Sequence, residues 1–297
     1  MNPLLEGVFI ALTTPFAGEK ISPARMRANV RRYNRADLAG YLVLGSTGES
    51  VLLTDGESER LVEAVAGTAA QGRKILAGTA RESTQATVEF TRRAARFGIA
   101  AALVRPPSYF KSKMTRESLK SHFLTVAEAS PVPVLVYNIP QNTGISLDPR
   151  LVVELAGHPN VAGLKESSGS LGFLGEVIRD VPGNFRYFAG SGHVVYPSLE
   201  MGAAGAILAV ANAVPALCAE IFRLFRAGKR GEARQRQLDL IPFNRTIVEK
   251  YGIAGVKAAQ DLMGYYGGPV RSPLLPLDGA SKKEIAVLLR ALRLSSD

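Results

Sequence analysis

Val161-Ala162-Gly163-Leu164-Lys165-Glu166-Ser167-Ser168-Gly169 is a short apolar run of strand type that ends in a lysine and opens into hydroxyls and a glycine. An interior lysine is expensive, because desolvation disfavours an ammonium and lowers its pKa. A lysine left partly neutral near pH 7 is a nucleophile able to form a Schiff base with a ketone. The structural alternative for Lys165 is an ion pair, with the adjacent Glu166 as its partner. Ten other lysines stand mostly in polar surroundings; Lys74 lies at the entrance of its strand and Lys257 in a helix-like stretch.

Outward from this run, β-branched apolar segments alternate with amphipathic ones. The pattern predicts strands over Val8–Leu12, Tyr41–Leu44, Ile75–Ala77, Ala101–Val104, Val132–Tyr137, Val161–Lys165, Tyr187–Ala189 and Ala206–Val210. Helices are expected between them, over Pro23–Ala36, Glu57–Ala70, Thr84–Phe97, Arg116–Ala129 and Pro215–Ala227 among others, with Ser22 and Ser83 or Thr84 as caps. Such alternation fits a closed (β/α)8 barrel, with a doubly wound open sheet as competitor. Unusual residues decide between them. Thr13-Thr14-Pro15, Gly45-Ser46-Thr47-Gly48-Glu49-Ser50, Pro106 to Tyr109, Tyr137-Asn138-Ile139-Pro140, Lys165 and Gly190-Ser191-Gly192 all fall at strand C-termini. Barrel active sites assemble there, whereas an open sheet concentrates its chemistry in one crevice. The expectation is a TIM barrel over residues 1–228. A C-terminal helical appendage over 229–297 follows, with helices at Glu232–Val248, Gly255–Met263 and Ser281–Leu294 and a Gly267-Gly268-Pro269 break before the last.

Composition narrows the class. The chain has 297 residues, 46% hydrophobic and 21% charged, as a soluble globular protein has. No apolar run reaches the ~18 residues needed to span a membrane. The start, Met-Asn-Pro-Leu-Leu-Glu, lacks signal-peptide features, and the single Cys218 excludes an internal disulfide framework, so a cytoplasmic location is expected. The formal charge of +10 is spread over helix-like stretches, with no Trp and no aromatic interleaving. Solvated helix faces and attraction of small anions explain it better than nucleic-acid binding.

The loop Gly45-Ser46-Thr47-Gly48-Glu49 offers hydroxyls, N–H groups and close backbone approach to a small carboxylate, although a plain strand-to-helix turn has the same composition. Tyr137 ends an apolar strand, where its phenol can serve an imine-forming lysine as a proton shuttle or simply be a buried tyrosine. Tyr109, after Pro106-Pro107, can extend that shuttle toward solvent or be a loop aromatic. The histidines 122, 158 and 193 show no metal-ligand spacing, and no G-x-G-x-x-G opens a dinucleotide unit. Neither a metal nor a cofactor is expected. His122 reads as a helix-surface residue and His158 as a loop residue.

Gly45-Ser46-Thr47-Gly48-Glu49, Tyr137-Asn138-Ile139-Pro140 and Gly163-Leu164-Lys165-Glu166 together resemble the dihydrodipicolinate synthase / N-acetylneuraminate lyase superfamily of Schiff-base lyases, over almost the whole chain. The resemblance implies a pyruvate-dependent enzyme, usually a homotetramer built as a dimer of dimers, with Lys165 forming an imine with pyruvate or another 2-oxo acid. It implies that Ser46 and Thr47 hold the pyruvyl carboxylate and that Tyr137 relays protons. Tyr109 would complete the relay from a neighbouring subunit, and Gly190 would offer backbone contacts.

One departure bears on substrate. The arginine that follows Tyr-Asn-x-Pro in dihydrodipicolinate synthases is Asn142 here, which cannot provide a charged bidentate clamp. Asn142-Thr143-Gly144, Glu82 to Glu89, Tyr251 to Gly255 and Gly264 to Pro269 look instead like 4-hydroxy-2-oxoglutarate aldolase, with Ser167 as a further carboxylate contact. The expected reaction is reversible cleavage of 4-hydroxy-2-oxoglutarate to pyruvate and glyoxylate. The alternatives are condensation of pyruvate with aspartate semialdehyde by a dihydrodipicolinate synthase, a 2-keto sugar-acid aldolase or dehydratase, and a non-catalytic barrel that binds a 2-oxo acid.

Overall fold

The computed structural model describes residues 5–294, with side chains to residue 292. Eight parallel strands close into a barrel. They are β1 (Gly7–Ala11), β2 (Gly40–Val43), β3 (Lys74–Gly78), β4 (Ala101–Val104), β5 (Val134–Asn138), β6 (Val161–Glu166), β7 (Arg186–Ala189) and β8 (Gly205–Leu208). β8 pairs with β1 to close the ring, Gly7 opposite Gly205. Helices α1 (Pro23–Tyr33), α2 (Asp55–Ala66), α3 (Thr84–Ala95), α4 (Arg116–Ala129), α5 (Pro149–Ala156), α6 (Leu171–Asp180), α7 (Val195–Glu200) and α8 (Pro215–Arg226) follow the strands in turn. This is the (β/α)8 architecture the strand-end chemistry indicates.

Local chemistry sets the helix starts. Ser22 and Ser83 accept the backbone N–H groups of Arg25 and Ala86, and Thr54 with Glu57 forms a reciprocal capping box on α2. That box moves the start of α2 upstream of the expected Glu57. Likewise β5 begins two residues later than the apolar run suggests, and Val210 leaves β8 to enter a short 3-10 turn with Asn212.

Side chains alternate along the strands, with a bulge in β6 between Val161 and Gly163 that shifts its register against β5. The inward set, including Phe9, Leu42, Leu76, Leu103, Leu135, Ala162, Phe188 and Ile207, fills the barrel. The outward set packs beneath the helices in two larger clusters. Gly163 lets β6 and β7 approach, since a Cβ there would fall 2.1 Å from the Arg186 carbonyl oxygen.

Beyond the barrel lie α9 (Arg230–Asn244), a π-helical stretch Arg245–Lys250, α10 (Gly252–Leu262) and α11 (Gly279–Leu294). The single helix expected over 232–248 is therefore interrupted. Its register shift begins within a turn of Pro242, which has no N–H to donate, and the Thr246 hydroxyl donates to the Pro242 carbonyl at 3.1 Å. Ile247, Val256, Ala259, Ile285 and Leu289 join the same core cluster as barrel residues Leu12, Val43 and Leu208. Among the described residues no helix is long and apolar enough to cross a membrane.

Candidate active site

Tyr137 on β5 and Lys165 on β6 are register partners, so both project into the C-terminal mouth of the barrel. They lie 5% and 3% exposed, with Lys165 Nζ 4.4 Å from the Tyr137 ring centroid. The next pair in register, Asn138 and Glu166, points the other way. Period-2 alternation thus removes Glu166 from Lys165 even though the two are neighbours in sequence. The ion pair weighed for Lys165 does not form. The Glu166 carboxylate accepts the N–H groups of Ser168 and Gly169 at 2.6 and 3.1 Å and shapes the loop instead.

Lys165 opens onto a cavity of about 670 Å³, lined also by Ser46, Thr47, Tyr137, Asn142, Ser167 and Gly190. Seven of the eight residues singled out in the sequence thereby share one cavity. The exception is Tyr109, which is 80% exposed and lines an adjoining cavity of about 760 Å³ that shares Ser46 and Asn142 with the first.

Ser46–Gly48 forms a 3-10 turn between two left-handed residues, Leu44 (φ 61°) and Glu49 (φ 55°). Non-glycine residues hold that conformation only where surroundings enforce it. Here the Thr14 hydroxyl donates to the Gly48 carbonyl at 2.6 Å, and the buried Glu49 carboxylate pairs with Lys257 at 2.5 Å. Gly48 and Glu49 donate back to Gly45 and Ser46, which leaves the N–H groups of Ser46 and Thr47 outside the turn's own ladder. With two hydroxyls alongside, the turn has the donors a carboxylate needs. Gly190 lines the same cavity, and its N–H is donated to the Glu166 carbonyl at 2.6 Å.

The same cavity is lined by His193, Asn244 and Glu249, which no sequence pattern singled out. His193 Nδ1 lies 2.8 Å from both Ser191 Oγ and Glu249 Oε1, and Asn244 donates to the same Glu249 oxygen at 3.2 Å. His193 sits on the loop after β7, whereas Glu249 belongs to the π-helical stretch, so only the fold joins them. Gly192 makes room for this contact, since a Cβ would come 2.3 Å from Asn244 Oδ1. The signal available in sequence was the proximity of His193 to the Gly190-Ser191-Gly192 strand end.

Two further titratable residues are buried, the first against expectation. His122 is 5% exposed rather than on a helix surface, and burial with the nearby Arg105 charge pushes its imidazole down to about 4. Lys257 is 1% exposed, a second buried lysine, whose pKa is lowered by burial despite the opposing charge of Glu49. Its Nζ also donates to the Pro269 carbonyl at 2.6 Å, so this amine has partners of its own.

A family profile described as the dihydrodipicolinate synthetase family matches residues 4–292. A 4-hydroxy-tetrahydrodipicolinate synthase of Macrococcus caseolyticus is 30% identical over 298 residues, covering 100% of this chain and 99% of that protein. The enzyme of the same name from Methanospirillum hungatei is 35% identical over 286 residues, covering 94% and 96%. Among solved structures, YagE of E. coli K12, a dihydrodipicolinic acid synthase family protein in complex with pyruvate, superposes with a TM-score of 0.92 at 26% identity. It covers 98% of this chain and all of its own.

Proposed function

Because the chain belongs to the dihydrodipicolinate synthetase family of pyruvate-dependent lyases, we propose that it is a class I enzyme of aldol type that activates pyruvate as an imine on Lys165. The observation that carries this reading is the buried Lys165 amine, facing Tyr137 and opening onto the cavity that holds the Ser46–Thr47 turn. Ser46 and Thr47 hold the pyruvyl carboxylate. The Lys165 amine adds to the keto carbon, and water leaves as the imine forms. Loss of a C3 proton then gives an enamine, which attacks the aldehyde carbon; in reverse the same bond breaks. Tyr137 carries protons to and from the carbinolamine and the aldol oxygen. Tyr109 completes the relay from a second copy in a homotetramer.

Two acceptors have specific support. The relatives' names favour aspartate semialdehyde, and with it 4-hydroxy-tetrahydrodipicolinate synthase activity. Asn142 in place of an arginine favours the smaller glyoxylate, and with it 4-hydroxy-2-oxoglutarate aldolase activity. The comparisons put more weight on the first.

Borohydride trapping with pyruvate followed by peptide mass analysis tests the common step, and an adduct on any residue but Lys165 defeats it. Lys165→Ala is expected to abolish turnover, since the other buried amine is engaged by Glu49 and Pro269. Parallel assays of semialdehyde condensation and of pyruvate release from 4-hydroxy-2-oxoglutarate decide the acceptor.

A further inference from the structure

Lys165 and Lys257 are both buried, yet only Lys165 lines the cavity. Lys257 reaches from α10 to Glu49 Oε1 at 2.5 Å, and both side chains are almost wholly removed from solvent, at 1% and 0% exposure. The second Glu49 oxygen accepts the Arg271 backbone N–H at 2.8 Å. Arg271 in turn pairs with Glu57 on α2 at 2.7 Å, and Lys257 and Arg271 each lie 4.5 Å from the Phe16 ring centroid. A buried ion pair is a weak source of net stability, because desolvation rivals the attraction; fixing one geometry among several is its better-attested use.

What these contacts fix is the residue directly after the carboxylate-binding turn. Glu49 closes the Ser46–Gly48 turn in a left-handed conformation, and its carboxylate is held from two directions by C-terminal residues. The same helix reaches the barrel rim elsewhere, where the Thr13 hydroxyl donates to Gln260 at 2.8 Å. It also presents Gly252, Ile253 and Val256 to the cavity. The C-terminal region therefore meets the site twice, as wall and as anchor.

We propose that the Glu49–Lys257 pair positions the Ser46–Thr47 turn, so that the C-terminal helices set how tightly the carboxylate of the 2-oxo acid is held. Lys257 is a positioning residue and touches no substrate. The inference rests on the reading of Ser46 and Thr47 as the pyruvyl-carboxylate site.

The test follows the rate of borohydride trapping against pyruvate concentration in the full-length protein, with Tm measured on each variant. Lys257→Met, and the paired Glu49→Gln with Lys257→Met, are expected to raise half-saturating pyruvate by about tenfold or more while the limiting trapping rate changes less than about threefold. The paired variant leaves no buried charge stranded and still offers an acceptor to the Arg271 N–H, so it separates folding from positioning. A folded paired variant with wild-type half-saturation overturns the proposal. Should neither fold, Lys257→Arg keeps the charge at a different reach; raised half-saturation supports positioning, whereas lowered Tm with unchanged half-saturation overturns it. A wild-type protein that traps no pyruvate defeats the parent reading. Normal wild-type trapping with unshifted variants defeats the positioning role alone.

Discussion

Asn138 and Glu166 stand side by side at the ends of neighbouring strands, and the Asn138 amide donates to the Glu166 carboxylate at 3.3 Å. Asn138 Oδ1 also accepts the Leu147 N–H at 3.1 Å. The pair thus organises two strand-end loops at once, one of which carries Ser167.

Removal of that carboxylate has a measurable cost. Glu166→Ala strands the N–H groups of Ser168 and Gly169, so a loss of about 2–3 kcal/mol is expected in urea unfolding. Glu166→Gln keeps an acceptor and retains most of the stability. Wild-type stability in the alanine variant would show that the loop holds its shape without Glu166.

We expect His193, which lines the same cavity as Lys165, to act on the aldehyde rather than on pyruvate. His193→Ala is expected to lower kcat/KM for the aldehyde by about 10–100-fold while borohydride trapping of pyruvate keeps its wild-type rate. Glu249→Gln, which leaves an amide where His193 Nδ1 has a carboxylate, gives a smaller change of the same kind. Equal losses in trapping and in aldehyde turnover would place both residues in general support of the site.

A pH dependence of stability follows from His122. Its ring lies against Thr84 Oγ1 at 2.9 Å, and its Nε2 is buried without a partner. Folding lowers its pKa to about 4, whereas in the unfolded chain it titrates near ~6.5. The unfolded state therefore takes up the proton first. Stability is full above about pH 6.5 and declines toward pH 4, by on the order of 3 kcal/mol. His122→Phe should remove this slope from denaturation curves taken across that window.

Tyr109 offers a test of shared sites. Lys165→Ala and Tyr109→Ala are each expected to be inactive or nearly so as separate preparations. Mixed, unfolded and refolded together, they regain activity where an intact Lys165 in one copy meets an intact Tyr109 in the other. No regain would confine the relay to one chain.

The barrel and most of the cavity were legible in the sequence for one reason. Parallel strands buried on both faces read as apolar runs, and their C-terminal ends carry the residues that cannot be explained by packing. Lys165, Tyr137 and Ser46 stand at such ends. Glu249, Asn244 and Lys257 do not; they occupy helical stretches whose spacing says nothing about the strand end they will meet. Glu166, the ion-pair partner weighed for Lys165, is ruled out because adjacency in sequence means opposition across a strand. His122 looked like a surface residue because a polar side chain on an amphipathic helix gives no hint that Thr84 will cover it.

Barrel closure joins the beginning of the chain to Gly205–Leu208, and the Glu49 anchor waits for Lys257 and Arg271 still later. Such contacts are non-local, and on the ribosome a domain completes only when its last partners emerge. A nascent chain that already displays Lys165 still lacks β7, β8 and the support behind Ser46. A prematurely terminated product would carry both Lys165 and the Ser46–Thr47 turn, but without the Lys257 and Arg271 contacts behind Glu49.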